Sequence, residues 1–108
     1  MKQQWKIEGP ITPGAVRRSL ARIGIASVTE SQCALIAGHG NLVIEANARF
    51  NLTRLEEPEE LLRLHVQDSV LGLPSVTDAV QGPLLDMGSG PGYPGVVLGV
   101  LTGRRVVL

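Results

Sequence analysis

Apolar residues recur along this chain at helical spacing first, and in strand-like runs only near its end. Val16, Leu20 and Ile23 follow Thr12-Pro13, a capping residue and a first-turn proline. That spacing predicts a helix from Pro13 to about Ile23, stopped by Gly24. Thr29-Glu30-Ser31-Gln32 has the form of a capping box and opens a second helix. Its apolar stripe runs through Leu35, Ile36, Leu42, Val43, Ala46 and Phe50 to an end at Asn51-Leu52-Thr53. Gly38-His39-Gly40 falls inside it, and two glycines cost roughly 1 kcal/mol each relative to alanine, so a kink or weak turn is expected. Pro58 begins a third helix, with Glu59 and Glu60 suited to its dipole. Leu61, Leu62, Leu64, Val66 and Val70 make it apolar on more than one face, so it should be largely buried until Pro74 ends it. Residues 1–11, broken at Gly9-Pro10, and residues 74–83 read as irregular chain, the latter with room for one short turn.

The pattern then changes. Residues 84–87 read as a short buried strand, 94–101 as a helix and 105–108 as a second strand, which implies a right-handed parallel crossover. The first turn of this unit reads Asp86-Met87-Gly88-Ser89-Gly90-Pro91-Gly92-Tyr93-Pro94-Gly95. Its glycines remove side chains where a ligand approaches, and it leads into a helix whose amides point back at that place. Such a loop suits a dinucleotide or S-adenosylmethionine. Residues 90–95 fit the dinucleotide spacing, but Pro91 and Pro94 delete amides that would bind pyrophosphate. The strand meets the loop as Asp-x-Gly-x-Gly, which favours a methyltransferase loop.

A second constellation is His65, Asp68 and Ser69. Spacings of three and four place them on one helix face, as candidates for lining a pocket or tying helix to loop. No nucleophile elbow accompanies them, which argues against a hydrolase.

Composition narrows the reading. A chain of 108 residues with 44% hydrophobic but only 3% aromatic residues suits one domain with an aliphatic core. Ten basic and ten acidic residues cancel, so no global charge draws it to nucleic acid or membrane. Locally, residues 1–25 carry Lys2, Lys6, Arg17, Arg18 and Arg22 against Glu8 alone. Arg17, Arg18 and Arg22 are therefore candidate RNA contacts, beside the plainer reading of a solvated helix face. One cysteine, Cys33, excludes an internal disulfide and a cysteine zinc cluster, and is expected to be a small buried hydrophobe. His39 has no second metal-type residue at a suitable spacing and is expected to be exposed. No signal peptide and no run near the ~20 apolar residues that span a bilayer is present, so a soluble cytoplasmic protein is the default.

Three segments, in order, resemble the small-subunit ribosomal RNA methyltransferase G family, also called glucose-inhibited division protein B. They are Asn47-Ala48-Arg49-Phe50-Asn51-Leu52-Thr53, then Pro58 through His65-Val66-Gln67-Asp68-Ser69, then Asp86 through Gly95 with its unusual Gly-Pro-Gly-x-Pro-Gly ending. The resemblance covers about residues 28–108. It implies an α/β chain: N-terminal helices (residues 1–80) leading into the first β-α-β unit of a Rossmann-like, S-adenosylmethionine-binding fold (residues 81–108). As it stands the chain would be mostly helical. The implied activity is methyl transfer from S-adenosylmethionine to ring nitrogen 7 of a guanine in 16S ribosomal RNA of the small ribosomal subunit. No catalytic acid or base is implied. Gly88 and Tyr93 match donor-binding positions, Asp86, Ser89, Gly90 and Gly92 belong to the same loop, and His65 and Asp68 match positions near that pocket.

Departures from the family pattern are Ala46 in place of a tryptophan, Leu64 in place of a basic residue, and the two glycines in the second helix. The family acid that binds the donor ribose would follow Leu108, so the chain is expected to be truncated, weak in donor affinity and prone to self-association through exposed apolar surface. Two rivals stay open: a non-catalytic RNA- or partner-binding helical module with a vestigial loop, and a fragment of a nicotinamide-dependent oxidoreductase.

Overall fold

Two local caps start the helical part. In a computed structural model that describes residues 8–50 and 57–108, the Thr12 hydroxyl accepts from the Ala15 amide at 3.1 Å and opens α1 (Pro13–Ala21). The helix stops two residues short of Ile23, and Gly24 turns the chain at a φ of 86°. Ile23 therefore lies past the helix and is 40% exposed instead of completing the stripe. At the next start, the Gln32 amide donates to the Thr29 hydroxyl at 3.1 Å and the Thr29 amide donates to the Gln32 side chain at 2.9 Å. This reciprocal pair is the expected capping box.

Helix α2 (Glu30–Phe50) is continuous through Gly38-His39-Gly40, contrary to the expected interruption. Gly40 is buried where a Cβ would come within 2.8 Å of the Ile11 side chain. The helix thus gains close packing there that offsets the propensity cost. Its apolar stripe also divides. Cys33, Ile36, Ala37 and Val43 enter the core, whereas Leu35, Leu42 and Phe50 are exposed. Leu35 and Leu42, seven residues apart, wall a surface cavity instead. Buried Asn41 holds the leading segment with both ends of its amide: its oxygen accepts from the Ile11 amide and its nitrogen donates to the Ile11 carbonyl, each at 2.9 Å. The expected end of this helix at Asn51-Leu52-Thr53, and Lys2 and Lys6, lie outside the described residues.

Pro58 opens the next helical stretch, as expected, but its interior is not uniform. A short α3 (Pro58–Leu61) widens into a π-helical turn (Leu62–Gln67) and tightens again into α4 (Asp68–Val70). Leu61, Leu62, Val66 and Val70 are buried, which accounts for apolar residues on several faces, while Leu64 stays exposed. The Gln67 side chain donates to both the carbonyl and the hydroxyl of Ser19, at 2.9 and 3.0 Å, and fixes this turn to α1.

Pro74 does not end this helix; it sits in the first turn of another, α5 (Leu73–Asp78), within the stretch expected to be a loop. A distant residue stabilises that helix. The Arg104 guanidinium donates to the carbonyls of Val76 and Ala79 at 3.0 and 3.1 Å, and to those of Val80 and Gly82 at 2.7 and 3.2 Å. It thereby satisfies carbonyls at and beyond the C-terminus of α5.

β1 (Leu84–Leu85) and β2 (Val106–Val107) pair in parallel, with α6 (Gly95–Thr102) between them in sequence. The chain is thus mostly helical with a small two-stranded parallel sheet. The strands are shorter than expected and not buried: Leu85 is 67% and neighbouring Met87 82% exposed. Among the described elements α6 packs closely on them, while the hydrophobic core proper lies among the helices from Ile11 to Val97.

The approach of α6 to β2 depends on Gly99, where a Cβ would collide with the stiff side chain of Val106. Gly99→Ala gains about 1 kcal/mol in helix propensity but forces an overpacking cost of about 1–3 kcal/mol. A net loss of stability is expected, read as a lower urea midpoint at unchanged slope.

Candidate functional site

β1 delivers Asp86 to the first turn of α6. Its carboxylate accepts from the Gly95 amide at 2.8 Å, placing an anion at the positive end of that helix. The loop between them bends through left-handed backbone at Gly88, Gly90 and Gly92, with φ of 69°, 56° and 107°. The peptide between Tyr93 and Pro94 is cis.

The glycines divide by what surrounds them. Added Cβ atoms at Gly88 and Gly90 would meet nothing within 4 Å, whereas at Gly92 one would lie 2.9 Å from the His39 ring and at Gly95 one would lie 2.6 Å from the Asp86 carboxylate. The amides divide in the same way. Gly92 donates to the Ser89 carbonyl at 3.0 Å, and Val96 to the Gly92 carbonyl at 2.8 Å. With Gly95 held by Asp86, the helix N-terminus is turned inward, which corrects the expectation that its amides face a ligand. The amides of Gly88, Ser89 and Gly90 donate to no group among the described residues.

Tyr93 anchors the loop to the helices. Its ring stacks on His65 from the π-helical turn, with centroids 4.6 Å apart and planes 10° apart. The His39 ring meets it edge-on at 4.9 Å. His39 therefore is not the exposed residue expected. It is half-buried, and its Nε2–H donates to the Pro91 carbonyl at 2.8 Å, which sets the tautomer. The His39 Nδ1 and the Tyr93 hydroxyl are buried without a partner among the described residues. Burial pushes His39 below its ordinary value of 6.5; the Pro91 carbonyl opposes this and the nearby His65 adds to it. Burial also lowers His65, against the charge of Asp68, and raises the Tyr93 phenol. The sequence signal for His39 was the glycine beside it: Gly40 lets α2 approach the leading segment, and a residue one step away reaches the loop.

The other expected groupings are kept only in part. Ser69 is buried, and its hydroxyl donates back to the His65 carbonyl at 2.6 Å. Asp68 is exposed and lines a separate cavity of about 450 Å³ with Leu71 and Pro74. Both residues nonetheless stay near His65: the Asp68 amide donates to the His65 carbonyl and its charge acts on the ring. Arg17 turns toward α2, donating to the Val28 carbonyl at 3.0 Å and pairing with Glu30 at 3.4 Å. Arg18 and Arg22 remain exposed beside a concavity shared with Arg63. Cys33 is free and buried, as expected, and burial raises its thiol. Among the described residues no group of histidines, cysteines and carboxylates is arranged to hold a metal. No helix among them is long and apolar enough to cross a membrane.

Residues 32–108 match a protein family described as rRNA small subunit methyltransferase G. The ribosomal RNA small subunit methyltransferase G of Synechococcus elongatus is 43% identical over 72 residues, 65% of this chain and 29% of that protein. The ribosomal RNA small subunit methyltransferase G 1 of Syntrophobacter fumaroxidans is 39% identical over 90 residues, 83% of this chain and 40% of that protein. The Salmonella agona protein is 36% identical over 85 residues, 78% of this chain and 39% of that protein. The chain thus spans well under half the length of these relatives. No solved structure gives a significant match.

The two histidines make stability depend on pH. Both are held below 6.5 in the fold, so the unfolded chain binds more protons. Their contribution is full above 6.5 and is lost as pH falls through the lowered folded values. The melting temperature should therefore fall between about pH 7 and about pH 5. His39→Gln, which keeps a donor for Pro91 but does not titrate, should make that fall shallower.

Proposed function

The chain belongs to the rRNA small subunit methyltransferase G family, and on that premise we propose that its glycine loop binds S-adenosylmethionine for methylation of small-subunit ribosomal RNA. The observation that carries this reading is the pair Gly88 and Gly90. Both adopt left-handed backbone, both face open space, and with Ser89 they supply three adjacent amides that donate to no group among the described residues. Open left-handed glycines also occur in the turns at Gly24, Gly82 and Gly103; what supports a site at Gly88 and Gly90 is that they flank Ser89 in a loop whose ends Asp86 and Tyr93 fix. Gly88, Ser89 and Gly90 are the residues that would hold the donor through backbone; Asp86, Gly92 and Tyr93 shape the loop. The described residues from 8 to 80 then form a helical platform, and residues 81–108 the opening β-α-β unit of a Rossmann-like domain.

When bound, S-adenosylmethionine supplies an electrophilic methyl group on a positively charged sulfur. Ring nitrogen 7 of guanine, the acceptor this family resemblance implies, already holds an in-plane lone pair and needs no general base. The chain's task is alignment and exclusion of competing charge. His39 and His65 are both held below their ordinary value by burial, which disfavours a positive charge on either ring beside the loop. The Tyr93 anchor and the Asp86–Gly95 bond hold the two ends of the loop still, so that open backbone between them meets a ligand with little further ordering.

Calorimetric titration with S-adenosylmethionine tests this. Gly90→Val places a side chain in the open space and should lower donor affinity at least about tenfold, while the strained φ lowers stability by about 1 kcal/mol. Gly92→Ala should instead lower the melting temperature markedly, because its Cβ meets His39. Equal donor affinity in Gly90→Val and the parent chain would refute the site.

A further inference from the structure

α1 and the π-helical turn bring three arginines to one concavity. Arg18 and Arg22, four residues apart, lie on one face of α1 and its C-terminal cap. Arg63 joins them from the π-helical turn, and together they line a hollow of about 410 Å³ whose one acidic lining residue is Glu59. Each of the three is exposed, and none of their guanidinium groups has an ion pair or hydrogen bond among the described residues. The neighbouring Arg17 is the contrast, since Val28 and Glu30 already hold its guanidinium.

The spacing of the cluster is fixed from below. Gln67 lines the same hollow and binds the carbonyl and hydroxyl of Ser19, so α1 cannot slide against the turn that carries Arg63. Val16 and Leu20 of α1 and Leu62 and Val66 of the turn are buried in one core. The guanidinium is the side chain best matched to a phosphate: planar, always charged, and able to give two parallel hydrogen bonds. Three such groups on a rigid concave floor, with one carboxylate among them, suit a polyanion with repeating phosphates better than a single carboxylate ligand.

We infer that Arg18, Arg22 and Arg63 form a phosphate-binding cluster that grips the backbone of the ribosomal RNA substrate. This inference rests on the reading that the chain acts on RNA, but not on donor binding. The cluster positions RNA and carries no base-reading group, so it contributes affinity and salt dependence rather than sequence preference. The plainer alternative is that these arginines only solvate the end of α1 and complement its dipole.

Fluorescence anisotropy of a labelled hairpin of small-subunit ribosomal RNA, titrated with the full chain at several salt concentrations, separates the two. The triple variant Arg18→Gln, Arg22→Gln, Arg63→Gln should lower the slope of log affinity against log salt by about two to three units. Arg49→Gln, an exposed arginine at the far end of α2, should change it by less than about one unit. All four positions are exposed, and an unchanged melting temperature shows that folding is intact. An unchanged slope in the triple variant, an equal effect from Arg49→Gln, or no binding of the hairpin by the parent chain would overturn the inference. Donor titration by calorimetry is run in parallel. Loss of donor binding with the slope change retained rejects the donor site and leaves the phosphate cluster standing.

Discussion

The ring of Tyr93, held between His39 and His65, is the contact on which the arrangement of the loop depends. Three glycines with left-handed backbone in five residues would leave the segment after β1 free to sample many shapes. The tyrosine ties that segment to two helical elements remote in sequence, and the Asp86 carboxylate closes its other end on α6. Room for the tyrosine comes from α2. A Cβ at Gly40 would lie 3.9 Å from the Tyr93 hydroxyl and 3.3 Å from Leu61, as well as crowding Ile11. The helical part is therefore the mould in which the loop is set, and its glycines are part of that mould.

The same residue type performs two opposite tasks in this loop. Gly92 and Gly95 are glycines because protein atoms occupy the space of a side chain; Gly88 and Gly90 have left-handed backbone and nothing opposite them. Open left-handed glycines also occur at Gly24, Gly82 and Gly103, so openness alone does not set Gly88 and Gly90 apart; their place in a loop fixed at both ends by Asp86 and Tyr93 does.

What could be read from the chain follows the range of the interaction. Both N-terminal caps, the proline and acids that open α3, and the strand–helix–strand order rest on residues within a few positions of one another, and each appears as expected. Several of the differences involve distant partners. α5 owes its C-terminal carbonyl partners to Arg104, more than twenty residues on. The continuity of α2 depends on Ile11 and Tyr93 packing over Gly40, and the place of His39 on Pro91. Of the candidate site, the glycine loop was legible as a motif, but which of its amides remain open was not, because that depends on Asp86 folding back to Gly95. The grouping of His65, Asp68 and Ser69 is kept in part: His65, on the π-helical turn, ties the helix to the loop through Tyr93, and Ser69 and Asp68 both act on His65, while Asp68 also lines a separate cavity.

That irregular turn gives the molecule its logic. Arg63 and His65 stand two residues apart on it; one lines the arginine hollow with α1, the other carries the loop tyrosine. Gln67, on the same turn, fixes α1. Matching of the family begins at residue 32, so α1 and its arginines lie outside it, yet α1 is bolted to the element that supports the glycine loop. Were the proposed methyl transfer to rely on alignment alone, its two substrates would have to be held by one rigid body. A single turn with α1 on one side and Tyr93 on the other has the form of such a link: any shift of the arginine face would have to disturb the buried core before it could change the distance to the loop.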